Sequence, residues 1–226
     1  VKAIYDSPWH HPFVAYVVGI ALLFALARRL PFLYAYLLLF TVTILADATA
    51  TGGWSPIPMG TTAYTVSSVL FIVLGDLRYF VLAERATHPK DTLSRVMAWS
   101  VGVSLIMPTA SGVLTRLVPA MQNDRVLYMV YEAVMGGIVL GLNRFRYAPS
   151  DAPADIRRWV HRVSLLFATL YFGWALSDVV ILLGVEAGHL LRVIPNVLYY
   201  GAFLPFVYVT APEALRAATH PAKAAA

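Results

Sequence analysis

The chain contains no cysteine. Disulfides, thiolate metal sites and cysteine nucleophiles are excluded at once. Charge is also scarce: 13% of the 226 residues are Asp, Glu, Lys or Arg, against about a quarter in an average soluble domain. Lysine is rarest among these, with 3 against 14 arginines. There is no repeat, no low-complexity linker and no charged tail beyond a short alanine-rich end after His220. No GxSxG elbow, glycine-rich phosphate loop or Ser/His/Asp grouping can be read. The histidines at 10, 11, 88, 161, 189 and 220 include no His-x-x-x-His pair, and none lies at mid-span on facing helices. Neither zinc nor a bis-histidine haem is expected, and the sequence implies no cofactor.

Apolar residues fill the space left by charge, at 59% of the chain, with a mean hydropathy of +0.69. A membrane-spanning helix needs about 20 such residues. Seven stretches qualify, near 12–30, 31–50, 61–83, 94–117, 124–142, 159–184 and 189–210. They predict an all-α seven-transmembrane bundle that uses nearly all of 1–226 as one membrane domain. The first stretch has no small-residue cleavage site before Arg28-Arg29 and reads as a span, not a signal peptide. Pro12 and Pro31 suit first-turn positions, while Gly52-Gly53, Pro56, Pro58, Pro89, Pro149 and Pro153 mark breaks. Pro108 and Pro205 fall inside spans and are expected to kink them.

The basic residues sort by loop. Arg28, Arg29, Arg85, Lys90, Arg95, Arg144, Arg146, Arg157, Arg158, Arg162, Arg216 and Lys223 share one side. Lys2, Arg116, Arg125 and Arg192 share the other, and Arg78 lies inside the third span. The positive-inside rule predicts an outside N-terminus and a cytoplasmic C-terminus. Trp9 and Trp54 then fall at the outer interface and Trp159 at the inner one. The net charge of +5 belongs with anionic headgroups and membrane lipids, not nucleic acid. Abundant arginine and alanine point to a GC-rich bacterial source, hence a multi-pass protein of the inner (cytoplasmic) membrane.

Ionisable groups inside a membrane are costly and mark functional candidates. Asp47 sits near the outer end of span two, Glu132 about two turns into span five, and Asp178 in the outer third of span six. Asp76 is alone in the inner half of span three, two residues before Arg78, where an ion pair would be its structural role. Helical spacing puts Tyr36, Phe40, Thr43 and Asp47 on one stripe, and Asn196, Tyr200 and Phe203 on another. Most hydroxyl-bearing residues on such stripes serve helix packing. The three outer carboxylates instead suggest a shared water-accessible cavity, with Asn196, Tyr64, Tyr131 and Tyr200 at compatible depths.

Two family resemblances follow from these residues. The topology, with Trp174, Asp178, Val179, Val180, Leu182, Gly184 and Glu186, resembles microbial rhodopsins around their sixth helix. Asp76 would match the inner proton-donating carboxylate of the pumps. However, span seven has no lysine and carries Tyr199-Tyr200 at its middle, while Thr65 occupies the counterion position. The resemblance implies architecture without retinal. Gly75-Asp76, Ser177-Asp178 and Tyr199-Tyr200, in that order, resemble lysoplasmalogenase-type membrane hydrolases. That resemblance implies catalysis by Asp76 and Asp178. Spans three and six run in opposite directions, though, and would hold these aspartates near opposite faces.

The leading expectation is a receptor-like or transport protein that binds a small polar molecule or ion in an outward-facing cavity through Asp47, Glu132, Asp178, Asn196 and Tyr200. An intramembrane lipid hydrolase, or a non-catalytic subunit among partner chains, are the alternatives.

Overall fold

The structure is a computed structural model that describes residues 2, 13–26 and 33–217. The expectations for Trp9, His10, His11, Pro12, Arg28, Arg29, Pro31, His220 and Lys223 lie outside the described residues.

Every regular element among the described residues is helical. They are α1 (Val14–Leu26), α2 (Tyr34–Thr51), α3 (Thr62–Thr87), α4 (Leu93–Leu117), α5 (Asp124–Leu142), α6 (Ala154–Leu182), α7 (Ala187–Val197), α8 (Phe203–Thr210) and the short α9 (Glu213–Ala217). A 3-10 turn, Pro119–Gln122, precedes α5. A π turn, Asn143–Tyr147, extends α5, and another, Leu198–Ala202, joins α7 to α8. Five of the resulting rods are long and apolar enough to cross a bilayer: Thr62–Thr87, Leu93–Leu117, Asp124–Tyr147, Ala154–Leu182 and Ala187–Thr210. Ala35–Thr51 is apolar but shorter. This is the pattern of a multi-pass membrane protein.

Polar side chains start α3, α4 and α5. Thr61 Oγ1 accepts from Tyr64 N at 3.2 Å, Thr92 Oγ1 from Arg95 N at 3.4 Å, and Asn123 Oδ1 from Arg125 N at 2.9 Å. Each satisfies a backbone donor that has no partner within its own helix. The α6 helix begins at Ala154, five residues before the predicted span, because Pro153 suits an entry position and its carbonyl takes the Arg157 N–H at 3.0 Å. The α3 helix likewise runs one turn past its apolar stretch, through Glu84 and Arg85. At the far end of α6, Gly184 adopts φ of +79°, and Val185 N–H reaches back to Val180 O at 3.2 Å. Only glycine enters that left-handed conformation without strain, and it turns the chain into α7.

Pro205 lacks the N–H that would bond the Gly201 carbonyl, and the helix is wound as a π turn just before it. The predicted disturbance of span seven takes this form. Pro108 stands inside a continuous α4.

Sequential helices pack side by side, and α6 crosses to α3 and α8 as the central element. The Tyr79 ring stacks on Phe167 at 4.7 Å, and Phe167 meets Phe203 at 5.3 Å. Trp159 is 2% exposed and donates its indole N–H to Val207 O at 3.3 Å. Its ring therefore faces the bundle interior near the start of α6. The outward surfaces are apolar instead, with Leu39, Val66, Ile106, Leu176 and Val209 all exposed.

Candidate ligand cavity

Short helical spacings bring the residues of one wall onto single faces. On α2 these are Asp47 and Thr51, on α3 Ser68 and Ile72, on α5 Tyr128, Tyr131 and Glu132, and on α6 Tyr171 and Trp174. On α7 and the following π turn they are Arg192, Asn196, Tyr199 and Tyr200. With Phe71 these residues enclose a cavity of about 250 Å³, at the low end of small-molecule sites.

Four of the five sequence-predicted binding residues line it: Asp47, Glu132, Asn196 and Tyr200. Asp47 accepts hydrogen bonds from Thr51 Oγ1 at 2.8 Å and from the Tyr200 hydroxyl at 3.1 Å. Asn196 Oδ1 accepts from Trp174 Nε1 at 2.7 Å. Glu132 is 5% exposed and accepts from Arg192 Nη2 at 3.0 Å. Its other oxygen, Oε2, is buried without a hydrogen-bond partner among the described residues.

The fifth, Asp178, does not line the cavity. It is fully buried one layer back, where Arg192 Nη1 lies at 2.6 Å and Arg125 Nη1 at 3.1 Å. Arg192 thus bridges Asp178 to Glu132 and stands between Asp178 and the open space. In the sequence Arg192 looks like a headgroup-level charge close to a span end. Its side chain is only 12% exposed. Tyr131 joins the wall as expected, whereas the Tyr64 hydroxyl is turned to the Thr51 carbonyl at 3.0 Å.

Asp76 is not alone. Its Oδ2 accepts from the Tyr131 hydroxyl at 2.6 Å and its Oδ1 from the Tyr171 hydroxyl. Both tyrosines also line the cavity, so Asp76 lies directly behind its wall. Tyr171 precedes Asp178 by seven residues on α6, a rise of about 10 Å. Asp76 and Asp178 therefore belong to separate polar clusters, Asp76 with Tyr131 and Tyr171 and Asp178 with Arg125 and Arg192.

Arg78 does not close an ion pair with Asp76. Its guanidinium carbon stands 3.8 Å from the Tyr199 ring centre and 4.5 Å from that of Phe203. Its Nη1 donates to the Tyr199 carbonyl at 3.3 Å. A guanidinium stacks on aromatic faces in this way when hydration is removed. Gly75 makes the layer possible, since a Cβ there would overlap the Tyr199 hydroxyl.

The rings of Tyr171, Trp174, Tyr199 and Tyr200 form a chain, with successive centroids 5.6, 5.2 and 4.8 Å apart. Helical spacing puts Tyr171 on the Asp178 stripe of α6, but nothing in the sequence marks Trp174 or Tyr128 as wall residues, because an aromatic in an apolar helix looks the same in a packed core. Among the described residues no three His, Asp or Glu side chains are grouped to hold a metal ion.

Comparison with protein-family models, curated proteins and solved structures gave no match to this chain.

Proposed function

We propose that this is a seven-helix inner-membrane protein, N-terminus outside, that binds a small polar molecule or ion in an outward-facing cavity as a receptor or transporter. The observation that carries the reading is the cavity itself: Asp47, Glu132, Asn196 and Tyr200 come from three separate stretches of sequence and line one space. An ionisable group retained at membrane depth beside a cavity, with spare lone pairs, is a binding feature more than a packing one. The orientation is supported by the basic residues, which concentrate in the loops beside Arg85 to Arg95 and Arg144 to Arg162. The rhodopsin resemblance is kept at the level of helix arrangement, since span seven has no lysine to carry a retinal Schiff base.

Cysteine accessibility tests this without background, because the chain has no native thiol. In intact cells Ser68→Cys, in the cavity wall, is expected to react with a small impermeant thiol reagent from outside, and Asp151→Cys, exposed in the loop before α6, to stay protected. Labelling of Asp151→Cys with Ser68→Cys silent would sink both the orientation and the outward opening.

A lipid hydrolase is the second reading. One contact favours it: Gly75, beside Asp76, meets the Tyr199 hydroxyl, so two parts of the hydrolase-like pattern are adjacent. Against it, tyrosines occupy both Asp76 oxygens, and two arginines hold Asp178 in a separate cluster. Lysolipid hydrolysis by the purified protein, abolished by Asp76→Asn, would establish it over the binding reading.

A further inference from the structure

Within the cavity the polar hydrogens are largely spoken for. Thr51 and Tyr200 donate to Asp47, Tyr131 and Tyr171 donate to Asp76, and Ser68 donates to the Tyr64 carbonyl at 2.9 Å. Trp174 donates to Asn196, and Arg192 donates to Glu132 and pairs with Asp178. The Tyr128 and Tyr199 hydroxyls also stand in the wall, and beside these few donors lie carboxylate and hydroxyl lone pairs and aromatic rings. Hydroxyl oxygens keep acceptor capacity after donating their proton. Glu132 Oε2 is buried and unpartnered among the described residues. Asp47, at 7% exposure, is held by hydroxyls alone, with no basic side chain within ion-pair distance among the described residues.

Charge points the same way. Among the described residues Arg192, Arg125 and Arg78 stand against Asp178, Glu132, Asp76 and Asp47, three cations to four carboxylates, and Arg78 acts on Asp47 only from beyond ion-pair distance. Along the wall runs the aromatic chain from Tyr171 through Trp174 and Tyr199 to Tyr200. The negative face of an aromatic ring attracts a cation, most strongly where water is excluded. An anion would meet these faces and carboxylates as repulsion. A volume of about 250 Å³ holds roughly eight water-sized groups at ~30 Å³ each, which suits a small branched amine better than a bare metal ion.

We infer that the cavity binds a small organic ammonium group, with Asp47 as its counter-charge, Glu132 Oε2 as a second acceptor and the Tyr171, Trp174 and Tyr200 rings as its cage, the Tyr199 ring being already stacked on Arg78. The inference rests on the binding reading above. A free amine and the headgroup of an amine-bearing lipid share this chemistry.

The test uses the full chain in an uncharged maltoside detergent, read by tryptophan fluorescence, since Trp174 is in the wall, and by thermal unfolding. The probes are choline, its neutral isostere 3,3-dimethylbutan-1-ol, potassium ion and lysophosphatidylcholine. Choline is expected to saturate the signal at least about 10-fold more tightly than the isostere or potassium, and Asp47→Asn to weaken it by a similar factor. Lysophosphatidylcholine binding that choline displaces only weakly assigns the headgroup source, and choline binding without it assigns the free amine. Either outcome upholds the class. Equal affinity for choline and isostere overturns it, and that comparison needs only the wild-type protein should Asp47→Asn fail to fold. Saturation by potassium at equal strength, or no saturable response to any probe, overturns it too. The cavity's outward accessibility stands or falls separately, on the Ser68→Cys labelling.

Discussion

Glu84 and Glu132 are both buried glutamates that meet an arginine from another part of the chain. Glu84, with no exposed surface, takes Arg146 in a two-pronged pair, Nε to Oε2 at 2.9 Å and Nη2 to Oε1 at 2.6 Å. The guanidinium lies over the Trp99 ring at 4.0 Å, so α3, α4 and the π turn after α5 are pinned at one point. Glu132 gives only one oxygen to its arginine, and that arginine is shared with Asp178. The first arrangement matches fork to carboxylate and leaves nothing for a ligand. The second leaves an oxygen over, beside an open space. Burial and pairing alone therefore do not tell the two glutamates apart; the spare oxygen of Glu132 on the cavity wall does, since the equally spare Oδ2 of Asp178 lies behind that wall.

The largest effect should come from the closed pair. Glu84→Ala strips Arg146 of its partner, and breaking a buried pair costs about 3 kcal/mol. The thermal midpoint in detergent should fall, while the folded fraction keeps the choline response of the wild type. A choline affinity that falls with stability would break the distinction between the two glutamates.

Next comes the layer behind the cavity. Gly75→Ala drives a methyl into the Tyr199 hydroxyl, an overpacking penalty of about 2 kcal/mol. Tyr199→Phe removes the offending oxygen and should recover much of that loss in the double variant. Failure of the rescue would show that the ring, not its hydroxyl, meets residue 75.

Smaller, but more diagnostic, is a double-variant cycle. Glu132→Gln and Asp178→Asn share Arg192, so their effects on unfolding should be non-additive by about 1 kcal/mol. Either one combined with Glu84→Gln should add to within about 0.5 kcal/mol. Additivity in the first cycle would deny the bridging role of Arg192.

The smallest effect belongs to Arg95, which meets Asp91 at 3.3 Å while 72% exposed. Arg95→Ala should change stability by less than about 0.5 kcal/mol, because water and salt screen such pairs. A larger loss would mean that this end depends on its surface charges as well as on the Glu84 pin.

Much of this was legible from the residues. Apolar runs near 20 residues located the long helices, with expected starts near 61, 94 and 124 against observed ones at Thr62, Leu93 and Asp124. Asp47, Glu132, Asn196 and Tyr200 stood out because polar groups in such runs are rare. Periodicity assigns a residue to a face but does not say which faces meet. Asp76 therefore read as solitary, although Tyr131 and Tyr171 on two later helices close around it. Arg192 read as a headgroup-level charge for the same reason, since its worth lies in Asp178 and Glu132, which belong to α6 and α5. The π turn at Leu198–Ala202 had only Pro205 as a herald, and the stacking of Arg78 on Tyr199 depends on it.

The sequence separations of these partners bear on biogenesis. Glu84 is 62 residues from Arg146, Asp76 is 95 from Tyr171, and Glu132 is 60 from Arg192. At roughly 5–20 residues per second of synthesis, Glu84 waits about 3 to 12 s for its arginine and Asp76 about 5 to 19 s for its second tyrosine. During that interval α3 carries two carboxylates whose final partners have not left the ribosome. A ribosome stalled before α6 would hold a nascent α3 whose Asp76 lacks one of its two tyrosines, a ready signal for membrane quality control.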